Sequence, residues 1–258
     1  CCLLISCAQK VQRNEIRIGM TDSISSFNPV LGNRNNAENF WRLLYQPLVD
    51  FDIRNMKSVP VLAHDLPTVN YNDSTNEYTL QFEIRTDAKW DNGTPVTTRD
   101  VAFTMKLLKL FDTAGMYPLT NELKQIVFTT DKRVFTMIIQ ANNNKLYDEE
   151  FDVPILPEYF YDPKSLLFEK NFKEFVAFRN KMPDTELEQW RKNFLESAAP
   201  NPYFICGSGA YKLTNTPDHG MFMLERKPNW WGNAYNNADD LIYFQAYPAR
   251  FEYFTSMT

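Results

Sequence analysis

Short apolar segments alternate with polar loops along most of the chain, and this pattern predicts strands interspersed with helices. Two pairs of these segments each enclose a polar loop, which is the pattern of an antiparallel hairpin. No internal repeat or low-complexity segment interrupts the alternation, so the class predicted is α/β. The predicted strands are residues 15–20, 66–71, 78–85, 123–129, 134–140, 211–214, 221–226 and 241–247.

Helical periodicity marks the longer segments between these strands. The clearest helix covers residues 99–111, where apolar side chains recur every three or four positions and predict one buried stripe. Thr97 or Thr98 precedes it, and a threonine there is a favoured cap for the amino end of a helix. Other helices are predicted at residues 36–44, 166–180 and 184–197, with a short one after Pro157.

The composition fits a secreted globular protein and excludes some functions. With 258 residues, the chain can bury a sizeable core in one or two domains. Its net charge is −5 and it has no basic run, which argues against nucleic-acid binding. Aromatic residues make up 15% of the chain, which suits either a large core or a cleft lined with rings. No cofactor is predicted.

Two blocks of sequence carry the strongest signal. One is W-D-N-G-T-P-V-T-T-R-D-V at residues 90–101, and the other is G-S-G-A-Y-K-L at residues 207–213, followed by L-E-R-K-P-N-W-W-G at residues 224–232. In this order they resemble the signature blocks of the family-five extracellular solute-binding proteins. Members of that family are the capture subunits of oligopeptide, dipeptide and nickel ABC importers.

The residues of both blocks are those that form turns and caps. Gly207 and Gly209 are expected to supply a positive φ at a tight entry into strand 211–214, since glycine adopts that conformation freely. A turn at residues 217–220 then returns the chain into strand 221–226. We therefore expect most residues of the two blocks to build the scaffold, without touching a ligand.

The resemblance implies a periplasmic-binding-protein-like α/β fold of type II, in the large cluster, with mixed sheets. It extends over about the first half of the family's usual length, so the second ligand-binding lobe is expected to be absent from this sequence. The domain division that it implies has four parts. These are a signal-peptide remnant with a lipobox at residues 1–7, the first part of lobe I at 8–50, an inserted small α/β domain at 51–160, and a truncated continuation of lobe I at 161–258.

The function implied by the resemblance is that of a substrate-binding lipoprotein of an ABC importer. Such a protein captures peptides or a related small solute between its two lobes and delivers them to a permease in the membrane. The family places the loop after the first strand in the cleft wall, and the segment after the long helix is the next candidate. The candidate ligand-binding residues are Ser26, Phe27, Asn28, Tyr45, Met116 and Tyr117.

Aromatic residues of the first helix leave two possibilities open. Trp41 and Tyr45 have the helical spacing that would let them stack on a ligand. An aromatic stripe with this spacing belongs to a core more often than to a cleft, so the core is the stronger alternative. Trp230 and Trp231 are expected to be packing or rim residues.

Other functional classes have less support. A metal site needs clustered ligands, and the chain has only His64 and His219, far apart in the sequence. A serine hydrolase would need a G-x-S-x-G elbow around Ser208, but Ile205 lies two residues before Gly207 and the pattern is incomplete. The chain is therefore predicted not to be an enzyme. A surface-attached interaction lipoprotein without transport remains the alternative.

The amino terminus predicts a lipid anchor. Residues 1–6 resemble the end of a signal-peptide apolar region, and Leu4-Ile5-Ser6 precedes Cys7 as in a lipobox. The alternative is a short buried strand or an ordinary terminus. The run is shorter than the ~20 residues that span a bilayer. We therefore expect a protein anchored to the membrane through Cys7, either periplasmic or at the cell surface.

Lipidation of Cys7 can be tested with the complete precursor expressed in a bacterial host. We expect the protein to partition into the detergent phase, because an acylated cysteine carries its chain to the membrane. Cys7→Ser should move it to the aqueous phase and leave residues 1–6 uncleaved, which intact-mass measurement detects. Equal membrane attachment and an unchanged mass in the Cys7→Ser variant would exclude the lipobox.

Overall fold

The computed structural model describes residues 15–20, 41–111, 119–141, 151–198, 206–213, 223–234 and 247–253. Its strands are β1 Glu15–Met20, β2 Val49–Asp52, β3 Lys57–Pro60, β4 Thr68–Asn72, β5 Glu77–Glu83, β6 Leu123–Phe128, β7 Val134–Gln140, β8 Tyr211–Leu213, β9 Met223–Arg226 and β10 Tyr247–Tyr253. Its helices are α1 Thr98–Leu110, α2 Leu119–Glu122, α3 Glu158–Tyr161, α4 Phe172–Lys181 and α5 Asp184–Ala198. Residues 41–44 are also helical, and Trp231–Ala234 form a 3-10 turn.

Three sheets organise the described residues. One has the strand order β1-β10-β9-β8, in which β1 and β10 are parallel and the other pairs antiparallel. The second is the hairpin β2-β3, and the third has the order β4-β5-β7-β6 and is antiparallel throughout. The α/β class and the mixed sheets predicted from the sequence are confirmed.

The β4-β5-β7-β6 sheet shows the period-two burial that its sequence predicts. In β5, Leu80 and Phe82 are buried and their neighbours Gln81 and Glu83 are exposed. Phe82 is paired with Phe135 of β7, and the two rings stack with centroids 5.3 Å apart. Since side chains alternate between the two faces of a strand, one face of β5 and β7 packs into the core, whereas every residue of the edge strand β4 is exposed.

Helix α1 is buried on nearly all of its surface, so the predicted single stripe is wrong. Apolar residues on its sides are enclosed, and so are Thr104 and Lys106, because α1 packs against α2, α3 and α4. The Thr104 hydroxyl donates to the Asp100 carbonyl at 2.8 Å and accepts the amide of Leu156 at 2.9 Å. The Lys106 ammonium donates to the carbonyl oxygens of Leu167 and Lys170 at 2.6 and 2.5 Å. These bonds offset the free-energy cost of burying the polar groups of Thr104 and Lys106.

Two element boundaries differ from those predicted. Helix α4 begins at Phe172 and not at residue 166, because Asn171 caps it and the carboxylate of Asp162 holds the amides of Leu166 and Leu167 in a preceding turn. Strand β10 covers Tyr247–Tyr253 rather than ending at residue 247. Its parallel pairing with β1 joins distant parts of the chain, which a local pattern does not reveal.

The amino end of α1 is held by a buried carboxylate. Thr97 is the cap, as predicted, and one oxygen of Asp100 accepts the Thr97 amide at 2.8 Å. The other oxygen accepts the amide of Glu158, the first residue of α3, at 2.9 Å. Burial raises the pKa of Asp100 to about 6 although these bonds favour the ionised form.

This shift predicts the pH dependence of stability. The native protein keeps the proton of Asp100 to a higher pH than the unfolded chain, so ionisation between about pH 4 and 6 opposes folding. The free energy of unfolding, relative to an Asp100→Asn variant, should therefore fall by roughly 1–3 kcal/mol from pH 4 to pH 7. Urea unfolding of both proteins across this range measures the difference. Parallel curves would show that Asp100 titrates alike in the folded and unfolded chains.

Candidate functional site

The two signature blocks meet in the folded protein, at a contact that we call the motif junction (Asp91, Gly207, Ser208, Gly209 and Lys227). The carboxylate of Asp91 accepts the Gly207 amide at 2.9 Å, and the Asp91 amide donates to the Gly207 carbonyl at 3.0 Å. Lys227 forms an ion pair with Asp91 and also donates to the Gly209 carbonyl at 2.7 Å. The junction thus joins the turn before α1 to the loop before β8.

Gly207 and Gly209 are required because of space, and the positive φ expected for them is wrong. Neither has φ in the left-handed region, whereas Gly93 has φ of +84°. A Cβ atom built on Gly207 would lie 2.1 Å from the Leu44 carbonyl oxygen, and one on Gly209 would lie 2.3 Å from the Leu43 carbonyl oxygen. The Gly209 amide donates to the Leu44 carbonyl at 2.8 Å. The loop therefore lies directly against the carboxyl end of helical residues 41–44.

Ser208 is enclosed at the centre of the junction, with 1% of its surface exposed. Its hydroxyl oxygen accepts the amide of Gln46 at 3.1 Å, which satisfies a backbone donor just past the helical residues. Its carbonyl oxygen accepts the indole N–H groups of Trp230 and Trp231 at 2.8 and 2.9 Å. These contacts give the two tryptophans a packing role, as expected, and give Ser208 the surroundings of a structural residue.

Beside the junction lies a pair of buried tyrosines. Tyr45 has no exposed surface, and its hydroxyl is hydrogen-bonded to the hydroxyl of Tyr161 at 2.5 Å. Burial is the main cause that raises the pKa of both phenols well above 10. Trp41 is equally buried, so both aromatic residues of this segment lie in the core. The surroundings of Tyr45 favour the core alternative, and a direct contact with ligand remains a prediction.

A second pair of side chains connects α3 to the loop of the junction. The hydroxyl of Tyr159 lies 2.7 Å from the sulfur of Cys206, the residue before Gly207. Burial raises the pKa of the Cys206 thiol and of the Tyr159 phenol. A buried thiol with a raised pKa is a poor nucleophile, so Cys206 acts as a packing residue.

The charged pair Arg99 and Glu158 borders a small cavity on α1. Glu158 is buried and accepts two bonds from the Arg99 guanidinium, each 2.6 Å long, while Phe168 packs over the guanidinium at 3.6 Å. The cavity between them has a volume of about 10 Å³, close to the minimum for one water molecule. The cavity is too small for a solute. Lys106 also lines it, and burial lowers the pKa of its ammonium group to about 8.

The structure leaves most of the predicted ligand contacts untested. Ser26, Phe27, Asn28, Met116 and Tyr117 lie outside the described residues, as does the lipidation site Cys7. Within the described ranges, no group of three or more His, Cys, Asp or Glu side chains could hold a metal ion. The same ranges contain no helix long and apolar enough to cross a membrane.

The contact between Asp91 and Lys227 was not predicted from the sequence. Each residue lies within a signature block, and their charges are opposite. That pattern is the one signal that could have paired them, but opposite charges at separate motif positions are too frequent to select one pair.

Comparisons with known proteins agree with the signature blocks. The family model described as "Bacterial extracellular solute-binding proteins, family 5 Middle" matches residues 57–249. The peptidoglycan-binding protein YepA of Agrobacterium fabrum is 27% identical over 260 residues, which cover 93% of this chain and 36% of YepA. The periplasmic oligopeptide-binding protein OppA of Salmonella typhimurium is 26% identical over 167 residues, covering 63% of this chain and 28% of OppA.

Solved structures share the fold. The oligopeptide-binding protein of Thermus thermophilus, in complex with a pentapeptide, superposes with a TM-score of 0.60 and is 24% identical. The match covers 85% of this chain and 38% of the Thermus protein. The chain spans about a third of the length of these relatives, which show the architecture of type II periplasmic-binding proteins.

The junction predicts different behaviour for two glycines. Gly209→Ala should destabilise the protein by roughly 1–3 kcal/mol, and Gly209→Val by more, because the added atoms meet a backbone carbonyl. Gly93→Ala should cost about 1 kcal/mol for a different reason, its positive φ.

Asparagine separates the two causes. It tolerates the left-handed conformation, so Gly93→Asn should recover much of the loss, whereas Gly209→Asn should remain at least as unstable as Gly209→Ala. Urea unfolding measures all of these variants. Recovery by Gly209→Asn would indicate that conformation, and not space, requires glycine at position 209.

Proposed function

Because this chain belongs to family 5 of the bacterial extracellular solute-binding proteins, we propose that the complete protein captures peptides or a related small solute. It delivers the ligand to an ABC permease in the membrane. The motif junction is the observation that carries the proposal: both signature blocks are present, and they dock on each other through Asp91, Gly207 and Lys227. The oligopeptide-binding protein of Thermus thermophilus was solved with a bound pentapeptide, which supports peptides as the first class to test.

Capture in such a protein needs little chemistry. An extended peptide is held through its main-chain N–H and C=O groups, which are alike for every sequence, and hydrated pockets accept its varied side chains. Closure of two lobes around the ligand excludes water and strengthens these bonds. The surroundings of Ser208 support binding over hydrolysis, because its hydroxyl is enclosed and its oxygen accepts the Gln46 amide.

We assign the wall of the cleft to the segments chosen from the sequence. Ser26, Phe27 and Asn28 belong to the segment after β1, and Met116 and Tyr117 to the segment after α1. Tyr45 is the remaining candidate. Its hydroxyl is hydrogen-bonded to Tyr161 in the core, and its burial fits a residue that packs beneath the wall of the cleft.

The remaining parts of the proposal concern organisation and location. We propose a division at residues 8–50, 51–160 and 161–258, and the confinement of the β4-β5-β7-β6 sheet to residues 68–140 supports a small domain in the middle segment. We also propose that acylated Cys7 anchors the protein outside the cytoplasm, on a membrane that faces the periplasm or at the cell surface. The family description as extracellular supports this location.

Peptide binding tests the function. Calorimetry should show that the complete protein binds short peptides of mixed sequence, and mass spectrometry of the peptides should show no cleavage products. Micromolar affinity corresponds to about −8 kcal/mol. Residues 8–258 alone, if circular dichroism shows that they fold, should bind at least tenfold more weakly, because one wall leaves the ligand half exposed.

Three outcomes would contradict this assignment. Equally tight binding by residues 8–258 and the complete protein would refute the two-lobe argument. Peptide cleavage that Ser208→Ala abolishes would indicate a hydrolase. No stabilisation of the complete protein by any peptide or small solute would favour the interaction lipoprotein.

A further inference from the structure

The turn between β2 and β3 displays two large apolar side chains to solvent. We call residues 52–57 the hairpin tip. Ile53 is 77% exposed and Met56 is 71% exposed, the highest values for large apolar side chains among the described residues. Isolated apolar residues on a surface are ordinary, but two strongly exposed ones on one short turn can enter the same apolar environment together.

Hydrogen bonds of the Asp52 side chain fix the backbone of the hairpin tip. One oxygen of the Asp52 carboxylate accepts the amides of Arg54 and Asn55 at 2.9 and 3.3 Å, and the other accepts the Asn55 side chain at 2.7 Å. Met56 has φ of +49°, a left-handed conformation that non-glycine residues rarely adopt. Asn76 has nearly the same conformation in the turn between β4 and β5, so this φ belongs to the geometry of the two hairpin turns.

The charges of the hairpin tip favour one kind of partner. Arg54 and Lys57 are exposed beside the two apolar side chains. The carboxylate of Asp52 is occupied with the amides of the turn, and the nearby Asp50 is paired with Arg42. Apolar side chains flanked by cations are the combination that binds the interface of an anionic bilayer.

We propose that the hairpin tip is a membrane-contact site, in which Ile53 and Met56 enter the headgroup region of an anionic phospholipid bilayer. Arg54 and Lys57 lie near lipid phosphates in this arrangement. The net charge of this chain is −5, so an anionic surface repels the rest of the chain and favours an orientation with the cationic tip towards the bilayer.

Because the proposed lipid anchor already holds the protein at the bilayer, a weak contact between the hairpin tip and lipid is sufficient to orient it. Seven residues lie between Cys7 and the start of β1 at Glu15, and the eight residue steps of a fully extended chain reach about 25–30 Å. An anchored protein is therefore confined near the bilayer, where the effective concentration of lipid is high. The site rests on the proposed anchoring for its physiological membrane, but its affinity for lipid can be measured without an anchor.

The test uses the complete protein carrying Cys7→Ser, so that acylation plays no part. We expect it to float with vesicles of phosphatidylcholine containing phosphatidylglycerol, and more weakly with phosphatidylcholine alone. Ile53→Ser with Met56→Asn should reduce the bound fraction about tenfold, since two apolar side chains no longer enter the interface. Asparagine is chosen at position 56 because it accepts the left-handed conformation.

A matched control removes two other exposed aliphatic side chains. Leu66→Ser with Val69→Ser, at positions 49% and 45% exposed, should leave flotation unchanged. Arg54→Gln with Lys57→Gln should weaken binding to the anionic vesicles by about fivefold for each cation. Thermal unfolding and peptide calorimetry on every variant verify the fold and separate a failure of this site from a failure of ligand capture.

Three results would overturn the proposal: no flotation of the parent protein with anionic vesicles, equal loss in the Leu66/Val69 control, or unchanged flotation of the Ile53/Met56 variant. A variant that floats normally but no longer associates with permease-containing membranes would show instead that the tip docks on the permease.

Discussion

The carboxylate of Asp91 joins two loops whose residues lie 116 positions apart, and this bond holds the loop before β8 against helical residues 41–44. Asp91 accepts the Gly207 amide and pairs with Lys227, whose ammonium also binds the Gly209 carbonyl. Partly buried charges are costly without partners, so each of these contacts requires the others. Burial lowers the pKa of Lys227, and the nearby Asp91 opposes that shift.

The motif junction also positions neighbouring elements, because the loop at residues 207–209 packs against them without room for a larger side chain. Gly207 and Gly209 lie against the carbonyl groups of Leu43 and Leu44, and Ser208 binds the amide of Gln46. The Gln46 carbonyl in turn accepts the amide of Ile155, in the segment that leads to α3. From α3, the amide of Glu158 returns to Asp100 on α1. A chain of short polar contacts thereby connects both signature blocks to the buried helix.

Within this scaffold, polar residues are buried where their partners come from other segments. Asp100, Thr104 and Lys106 bind backbone groups of the chain around α3 and of the turn before α4. Because these polar side chains are hydrogen-bonded, α1 can be buried almost completely. The hairpin tip is the opposite case, since Ile53 and Met56 are apolar and exposed on a turn whose backbone the Asp52 side chain fixes. The first arrangement stabilises the fold, and the second fits the proposed contact with a membrane.

The sequence alone determined the family, the class and most element positions, because turns, caps and periodicity act over a few residues. Strand pairs β4-β5, β6-β7 and β8-β9 and the Thr97 cap followed from such local signals. Of the candidate contacts, only Tyr45 has a described environment, and periodicity could not separate core from cleft for it. Only tertiary structure revealed the pairing of β10 with β1, the burial of α1 and the reason for Gly209. Each of these depends on contacts between distant segments, since a steric limit at a glycine exists only once a carbonyl from elsewhere lies against it.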